Sequence, residues 1–506
     1  MTSSIDAASR LPLSGPADRD RLSPLWWLAM VVVFVVAVLL RQMVPLNTDV
    51  SWLLTIGERV LDGERLYVDI VEINPPMAVL SQLPGIVLAR ALGLDPKIIA
   101  DGQMLLLTAV SLLATWRILR RSPTSDNVGW APLAVWSAAV LTILPMHVYG
   151  QREHIATLTF LPALAVYLLR CEGERVPLWA VAIAGVGAGI TLAFKPFFLT
   201  AAALCIVLTA VRTLSWRTLF APENLIAGVL VTAFSCYTYI AYPEYFTITY
   251  PLVRDTYLSW SMPVSVFMLN SATLIWAIAV IAILFAYRKT RLDAAALVIL
   301  LASLGFAISF FLQRRGWSYH SFPMVAVSLL GLGYLTFGGA GVRTGARRFD
   351  AVGMSAMAAT FVLGVLWFDA RVYVGPIEAA VAPLKPNPRI LVLSGEAAIG
   401  HPLVRTLHGV WVSREENLWV REFVRLTREH NTIDPPTDAK LNSYLALERS
   451  WLIEDFKRLP PDIVLVDNLR DGWGDWARAD PELTRLLKPY SLVRTIEGID
   501  ILQRKQ

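Results

Sequence analysis

Charged residues are scarce in this chain. Asp, Glu, Lys and Arg make up 17% of its 506 residues, against about 25% in soluble domains. Apolar residues supply 55% and recur in blocks of about 20, the length that crosses a hydrocarbon core. Together these exclude an ordinary water-soluble protein. Cysteine is scarcer still: Cys171, Cys205 and Cys236 are too few, and too apolar in context, for a disulfide framework. No Cys or His spacing reads as a zinc site; no cofactor is expected, and a divalent cation is left as an alternative for which no ligand set is seen. No glycine-rich phosphate loop follows a strand, which removes the case for nucleotide binding. The absence of an internal repeat counts against an inverted-repeat transporter. The net charge of +5 fits the positive-inside bias of membrane proteins and calls for no nucleic-acid partner.

What is present reads as a polytopic α-helical membrane protein with a C-terminal soluble α/β domain. Apolar blocks place about eleven spans near 24–44, 97–116, 130–149, 155–170, 177–194, 196–212, 222–242, 264–287, 293–312, 321–338 and 350–370. Residues 76–92 are ambiguous between a further span and an interfacial helix. The arginines decide. If 76–92 does not cross, Arg10, Arg19 and Arg21, then Arg117, Arg120 and Arg121, then Arg170 and Arg175 share one face. Arg212 and Arg217, Arg288, Lys289 and Arg291, and Arg343, Arg347 and Arg348 join them, and the positive-inside rule makes that face cytoplasmic. The expected organisation is then a disordered cytoplasmic tail over 1–23 and a transmembrane domain over 24–371. Its outer loop 45–96 carries interfacial helices, and an extracytoplasmic domain follows over 372–506. The first span reads as an uncleaved anchor.

In the C-terminal part, Arg389–Ser394 and Asp462–Asp467 read as buried strands. Residues 415–430 and 439–458 read as amphipathic helices, and 492–503 as a closing hairpin around Glu497-Gly498.

Polar chemistry collects on the outer face. The first loop carries Asp49, Glu58, Asp62, Glu64, Asp69 and Glu72, and carboxylates at a membrane rim usually have a task. Within it Val50–Leu61 is amphipathic, with Leu53, Ile56, Gly57 and Val60 opposite Ser51, Thr55, Glu58 and Asp62, and is expected to lie along the membrane surface. A second outer turn holds Gly150-Gln151-Arg152-Glu153-His154, a third holds Gln313-Arg314-Arg315-Gly316-Trp317-Ser318-Tyr319-His320, and Lys195 sits in a tight turn. Each has a bland reading. Asp49 would cap the helix starting near Val50, and Glu153 would pair with Arg152 across a turn. Arg314 and Arg315 would anchor at the interface, and Lys195 would snorkel to water. His154 and His320 would be polar loop residues. The aromatic run from Tyr237 to Trp260 is a belt by default and a sugar-stacking surface as the sharper alternative.

The order of these segments carries a resemblance. A first span, an Asp shortly after it, an amphipathic helix and then Tyr67-Val-Asp69-Ile-Val-Glu72-Ile-Asn-Pro75-Pro76 resembles the first outer loop of the GT-C glycosyltransferases. These membrane enzymes use polyprenyl-phosphate sugars and include protein mannosyltransferases and lipid A aminoarabinose transferases. Gly150–His154 resembles their second outer loop, and Gln313–His320 with Pro323 a later one. Two departures stand out: Asn74 where relatives carry Lys or His before the Pro pair, and Glu153 where Asp is commoner.

The resemblance implies sugar transfer from a polyprenyl-phosphate donor to an acceptor hydroxyl on a glycan, lipid or protein at the outer face of a bacterial inner membrane. Such a reaction needs a carboxylate to take the acceptor proton, and Asp49 matches that position, with Glu153 beside it. It needs cations for the departing phosphate, for which Arg152, Lys195, Arg314 and Arg315 are the candidates. Asp69, Glu72, His154, Tyr319 and His320 are candidates for orienting substrate. The competing class is a lipid or saccharide flippase, which would place ionisable groups near the bilayer midplane; within the spans only Asp101 lies inside an end.

Overall fold

The computed structural model describes residues 24–124, 128–288, 291–337, 347–430, 432–469 and 472–505. The tail 1–23, expected to be disordered, lies outside the described residues. So do Lys289 and Arg343 of the expected arginine clusters.

Seven helices among the described residues are long and apolar enough to cross a membrane: Pro24–Met43, Pro96–Leu119, Arg152–Cys171, Pro196–Thr213, Pro222–Ala241, Ala294–Gln313 and Ser318–Phe337. Four further expected spans are shorter apolar helices, Trp130–Thr142, Leu178–Phe194, Ser271–Ala286 and Gly353–Phe368. Among the described residues a count of about eleven full-length spans is therefore not confirmed. The reasons are local. The 264–287 segment breaks because Asn270 caps the helix that begins at Ser271, its side chain accepting from the Ala272 N–H at 2.8 Å. The Trp130–Thr142 helix gives way to a turn at Pro145 and a short 3-10 helix, Met146–Val148. Residues 76–92 form two pieces, Met77–Leu80 and Leu83–Leu92, neither long enough to cross.

Burial grades these helices by position. In Pro24–Met43 only Ala37 and Arg41 are buried, as befits a helix facing lipid. In Arg152–Cys171 every residue but Arg170 is buried, so this helix runs through the centre of the bundle. Its neighbour Leu178–Phe194 comes close because Gly187 has no Cβ to strike the Thr159 carbonyl, and Thr159 and Thr191 hydroxyls bond at 2.9 Å across the seam. Small residues allow such approach, which supplies dispersion contact where lipid offers no hydrophobic drive.

The C-terminal part forms a five-stranded sheet in the order β2-β1-β3-β5-β4. Its strands are β1 Arg389–Leu393, β2 Val410–Trp411, β3 Ile463–Asp467, β4 Tyr490–Ile496 and β5 Ile499–Arg504. β1 runs parallel to β2 and β3, while β5 is antiparallel to β3 and β4. β3 is buried throughout, reading IVLVD, because sheet neighbours flank it, Leu452, Ile453 and Phe456 of the helix Pro435–Arg458 cluster with Val464 and Val466, and Trp52 and Ile56 cluster with Ile463 and Leu465.

This sheet does not stand apart from the membrane part. One apolar cluster joins Trp52, Leu53 and Ile56 of the first loop to Ile390, Val392, Trp411 and Leu465. The loop helix Thr48–Leu61 is accordingly buried on every side from Val50 to Gly57. The C-terminal domain covers this amphipathic helix. Part of its polar face meets that domain: Ser51 Oγ is 3.3 Å from His401 Nδ1, and Arg405 reaches Glu58 at 2.6 Å. That part of the polar stripe faces a partner surface that sequence periodicity does not contain.

Candidate active site

Asn47, rather than Asp49, caps the Thr48–Leu61 helix, its Oδ1 accepting from the Val50 N–H at 3.4 Å. Asp49 is thereby released from the capping role and sits in the first turn, its side chain 25% exposed. Asp49 Oδ2 accepts from Arg152 Nη2 at 2.9 Å.

Arg152 and Glu153 belong not to a loop but to the first turn of the Arg152–Cys171 helix. Gly150 makes this start possible, turning at φ +79°, where a side chain would be strained. Gln151 precedes the helix and donates to Asn47, so the two helix starts are stitched together. Glu153 is fully buried. Its Oε1 takes a short ion pair from Lys195 Nζ and lies 3.7 Å from His320 Nε2. Gln313 completes the group, accepting from Lys195 at 3.1 Å. Tyr319 lies over this pair, its ring centroid 5.9 Å from the Arg152 guanidinium carbon and 5.5 Å from Lys195 Nζ.

Several of these buried polar atoms have no hydrogen-bond partner: Arg152 Nε and Nη1, Glu153 Oε2, Gln151 Oε1 and His320 Nδ1. Burying unpaired polar groups costs about 1–3 kcal/mol each. Gathered at one place, they leave hydrogen-bonding capacity that a ligand or water can take up.

Glu72 closes one side. It is buried and accepts from Trp52 Nε1 at 2.8 Å and from the Asn74 N–H at 2.9 Å. Burial raises its carboxyl above the ordinary range, with Arg152 and the Asn74 and Trp52 hydrogen bonds opposing. Asn74, the departure noted before the Pro pair, thus serves to hold Glu72.

No protein-family profile matches the sequence, and no curated protein matches it. Solved structures do. ArnT from Cupriavidus metallidurans bound to undecaprenyl phosphate superposes with TM-score 0.57 at 15% identity, over 95% of this chain and 98% of that one. Its apo state gives 0.56 at 14% identity, over 94% and 97%. An oligosaccharyltransferase from Archaeoglobus fulgidus in complex with Zn and sulfate gives 0.43 at 12%, over 94% of this chain and 73% of that one. The fold is that of the GT-C glycosyltransferases. In this chain the loop after the first span and the C-terminal domain pack together.

Within the GT-C frame the expected residues divide. Asp49, Glu72, Arg152, Glu153, Lys195, Tyr319 and His320 converge. Arg315 adjoins them: its guanidinium stacks 4.4 Å from the Tyr257 ring centre and Nη1 reaches the Trp260 carbonyl. Burial lowers its pKa, with Tyr257 and Tyr319 opposing.

Three candidates are committed elsewhere. Arg314, at φ +48°, gives Nε and Nη2 to the Met262 carbonyl at 2.9 and 2.6 Å and fastens the 256–263 segment. Asp69 accepts from the Arg65 N–H at 2.8 Å and caps an exposed turn. His154 is a core histidine: Nδ1 meets the Gly150 N–H at 3.2 Å, Nε2 lies 2.8 Å from the Leu141 carbonyl, and Tyr149 and Phe322 flank the ring. The aromatic run is neither a simple belt nor an open platform, since Tyr242 and Tyr245 pack on Tyr67 and Tyr257 and Trp260 pack on Phe423.

Sequence reasoning missed Glu416 of the C-terminal domain, which lies within electrostatic reach of Asp49, Glu72 and Arg152. Burial, then the charges of Asp49 and Glu72, push its carboxyl well above the ordinary range. No motif near Glu416 signals this, because only packing brings it there.

Proposed function

We propose that this chain is a membrane glycosyltransferase that moves a sugar from a polyprenyl-phosphate donor to an acceptor hydroxyl at the non-cytoplasmic face. The observation that carries this reading is Arg152: one nitrogen holds Asp49 at 2.9 Å, while two more remain buried and unpartnered beside Lys195. A guanidinium fork with free donors is shaped for a phosphate. The fold shared with ArnT, a protein solved with undecaprenyl phosphate, supports a lipid-phosphate donor here.

In this scheme the acceptor oxygen attacks C1 of the donor sugar as Asp49 takes its proton. The O–C1 bond forms while the bond from C1 to the phosphate oxygen breaks, with inversion at C1. The released lipid phosphate carries one more negative charge than it did in the donor. Arg152 and Lys195 stabilise that charge where it develops, with Arg315 at the edge of the same space. Glu153 holds Lys195 in place, and Glu72 holds the loop against Trp52. The apolar bundle supplies the path for the lipid tail, which is why such chemistry belongs inside a membrane protein. The N-terminus is then cytoplasmic and the C-terminal domain extracytoplasmic, in a bacterial inner membrane.

The test is release of bare lipid phosphate by the protein purified in lipid and given a panel of undecaprenyl-phosphate sugars. Asp49→Asn is expected to lose most turnover with unchanged expression. Retained turnover in that variant would remove Asp49 as base.

A further inference from the structure

Lys195 is held by two acceptors of unlike charge that come from different helices. Glu153 Oε1, in the first turn of Arg152–Cys171, makes the short ion pair with it. Gln313 Oε1, on the last residue of Ala294–Gln313, accepts from Lys195 Nζ at 3.1 Å. The direction of the Gln313 amide is itself fixed. Its Nε2 donates to the Ser309 carbonyl at 3.1 Å and to Ser309 Oγ at 3.2 Å. A carbonyl only accepts, so the reversed amide would set two acceptor oxygens against each other. Ser309 therefore points Gln313 Oε1 at Lys195. Gln313, Ser309 and Glu153 are all buried.

An ammonium carries three N–H donors on a flexible four-carbon stem and turns about its Cε–Nζ bond. One acceptor leaves that rotation open. Two fix it, and with it the direction of the third N–H. Among the described residues this third donor meets no protein acceptor. The Lys195 side chain keeps 12% of its surface exposed. Its Nζ lies 5.5 Å from the centre of the Tyr319 ring, which the Arg152 guanidinium faces at 5.9 Å, so the two cations border one space. The chemistry of the second acceptor matters too. A carboxylate at position 313 would set another negative charge against Lys195, whereas an amide orients the ammonium and leaves it the charge that attracts a phosphate.

We propose that Gln313 is a positioning residue for the transfer reaction: held by Ser309, it turns the Lys195 ammonium so that one N–H faces the donor phosphate. This rests on the glycosyl-transfer reading above, in which Lys195 stabilises the departing lipid phosphate. Gln313 acts through Lys195 and touches no reacting atom. A buried amide that only supported the fold would act whether or not Lys195 were present, and that difference can be measured.

The experiment is a double-mutant cycle in lipid with wild type, Gln313→Met, Lys195→Met and the pair. Two quantities are read: turnover of an undecaprenyl-phosphate sugar, and affinity for undecaprenyl phosphate itself, measured without turnover. Gln313→Met is expected to lower kcat and to weaken undecaprenyl phosphate binding, each by about tenfold or more, as for a misplaced donor. In the Lys195→Met background the same change is expected to alter binding by less than about twofold, because the two residues act as one unit. Should Gln313→Met not purify as a folded protein, Gln313→Asn carries the same cycle by drawing the amide back one methylene. Equal losses in both backgrounds overturn the proposal, since Gln313 would then act through the fold. A wild type that turns over a donor while the Gln313 variants match its kcat and affinity overturns this proposal alone. A wild type that releases lipid phosphate from no donor overturns the glycosyl-transfer reading, and this proposal with it.

Discussion

Asp462 in the C-terminal domain and the Arg152–Glu153 pair at the bundle's rim are both dense knots of charge, and they are built oppositely. Asp462 accepts from Lys385 Nζ at 2.7 Å and from Arg389 through N, Nε and Nη2 at 3.0, 3.1 and 2.9 Å. Both carboxylate oxygens are in use, and the group ties the approach to β1 to the start of β3. Arg152 and Glu153 are more deeply buried, yet Arg152 Nε and Nη1 and Glu153 Oε2 have no hydrogen-bond partner. A network that exists to hold a fold spends its capacity internally. One that exists to meet a ligand keeps some in reserve and bears the desolvation cost meanwhile.

That contrast breaks in a definite place if it is wrong. The largest effect is expected from Arg152→Lys, which keeps the charge and removes the fork. Turnover should fall about a hundredfold, as for loss of one transition-state donor, with melting temperature little changed. If Arg152→Lys instead melted early and kept its rate, the rim pair would be structural like Asp462. The converse variant, Asp462→Asn, should lower stability by about 2 kcal/mol, the scale of hydrogen bonds to a charged group. Denaturation in detergent measures this, and KM for either substrate should not move.

A third measurement sharpens the comparison through pH. Glu448 caps the Trp419–His430 helix, accepting from the Val420 and Arg421 N–H groups at 2.8 and 3.0 Å. Burial raises its carboxyl from 4.5 to about 8 against those hydrogen bonds. Between these pH values the folded domain keeps a proton that the unfolded chain has lost, so stability falls as pH rises through the window. Melting followed from pH 5 to 8 should show that slope, and Glu448→Gln should flatten it.

Much of the architecture was legible. The strands at 389–393 and 463–467, the hairpin after Tyr490 and a helix inside each expected span follow from hydropathy and turn residues. Span lengths were less so, because caps such as Asn270 end helices inside apolar runs. Part of the candidate cluster was also legible, as polar residues at the ends of apolar segments: Asp49, Arg152, Glu153, Lys195 and His320 lie together in the structure. What misled was reading residue type without direction. His154 and Arg314 belong to the same two outer segments as Glu153 and His320, but the Leu141 and Met262 carbonyls take them.

Composition and apolar block length by themselves determined that this is a helical membrane protein with a small sheet at its end, since the bilayer demands long apolar runs whatever the rest of the chain does. Only the tertiary structure decided that the Thr48–Leu61 helix is sandwiched under the C-terminal domain, that Asn47 frees Asp49 from capping, and that Glu416 comes within electrostatic reach of it. Hydropathy is a local property of consecutive residues, whereas those three outcomes depend on which surfaces bury one another.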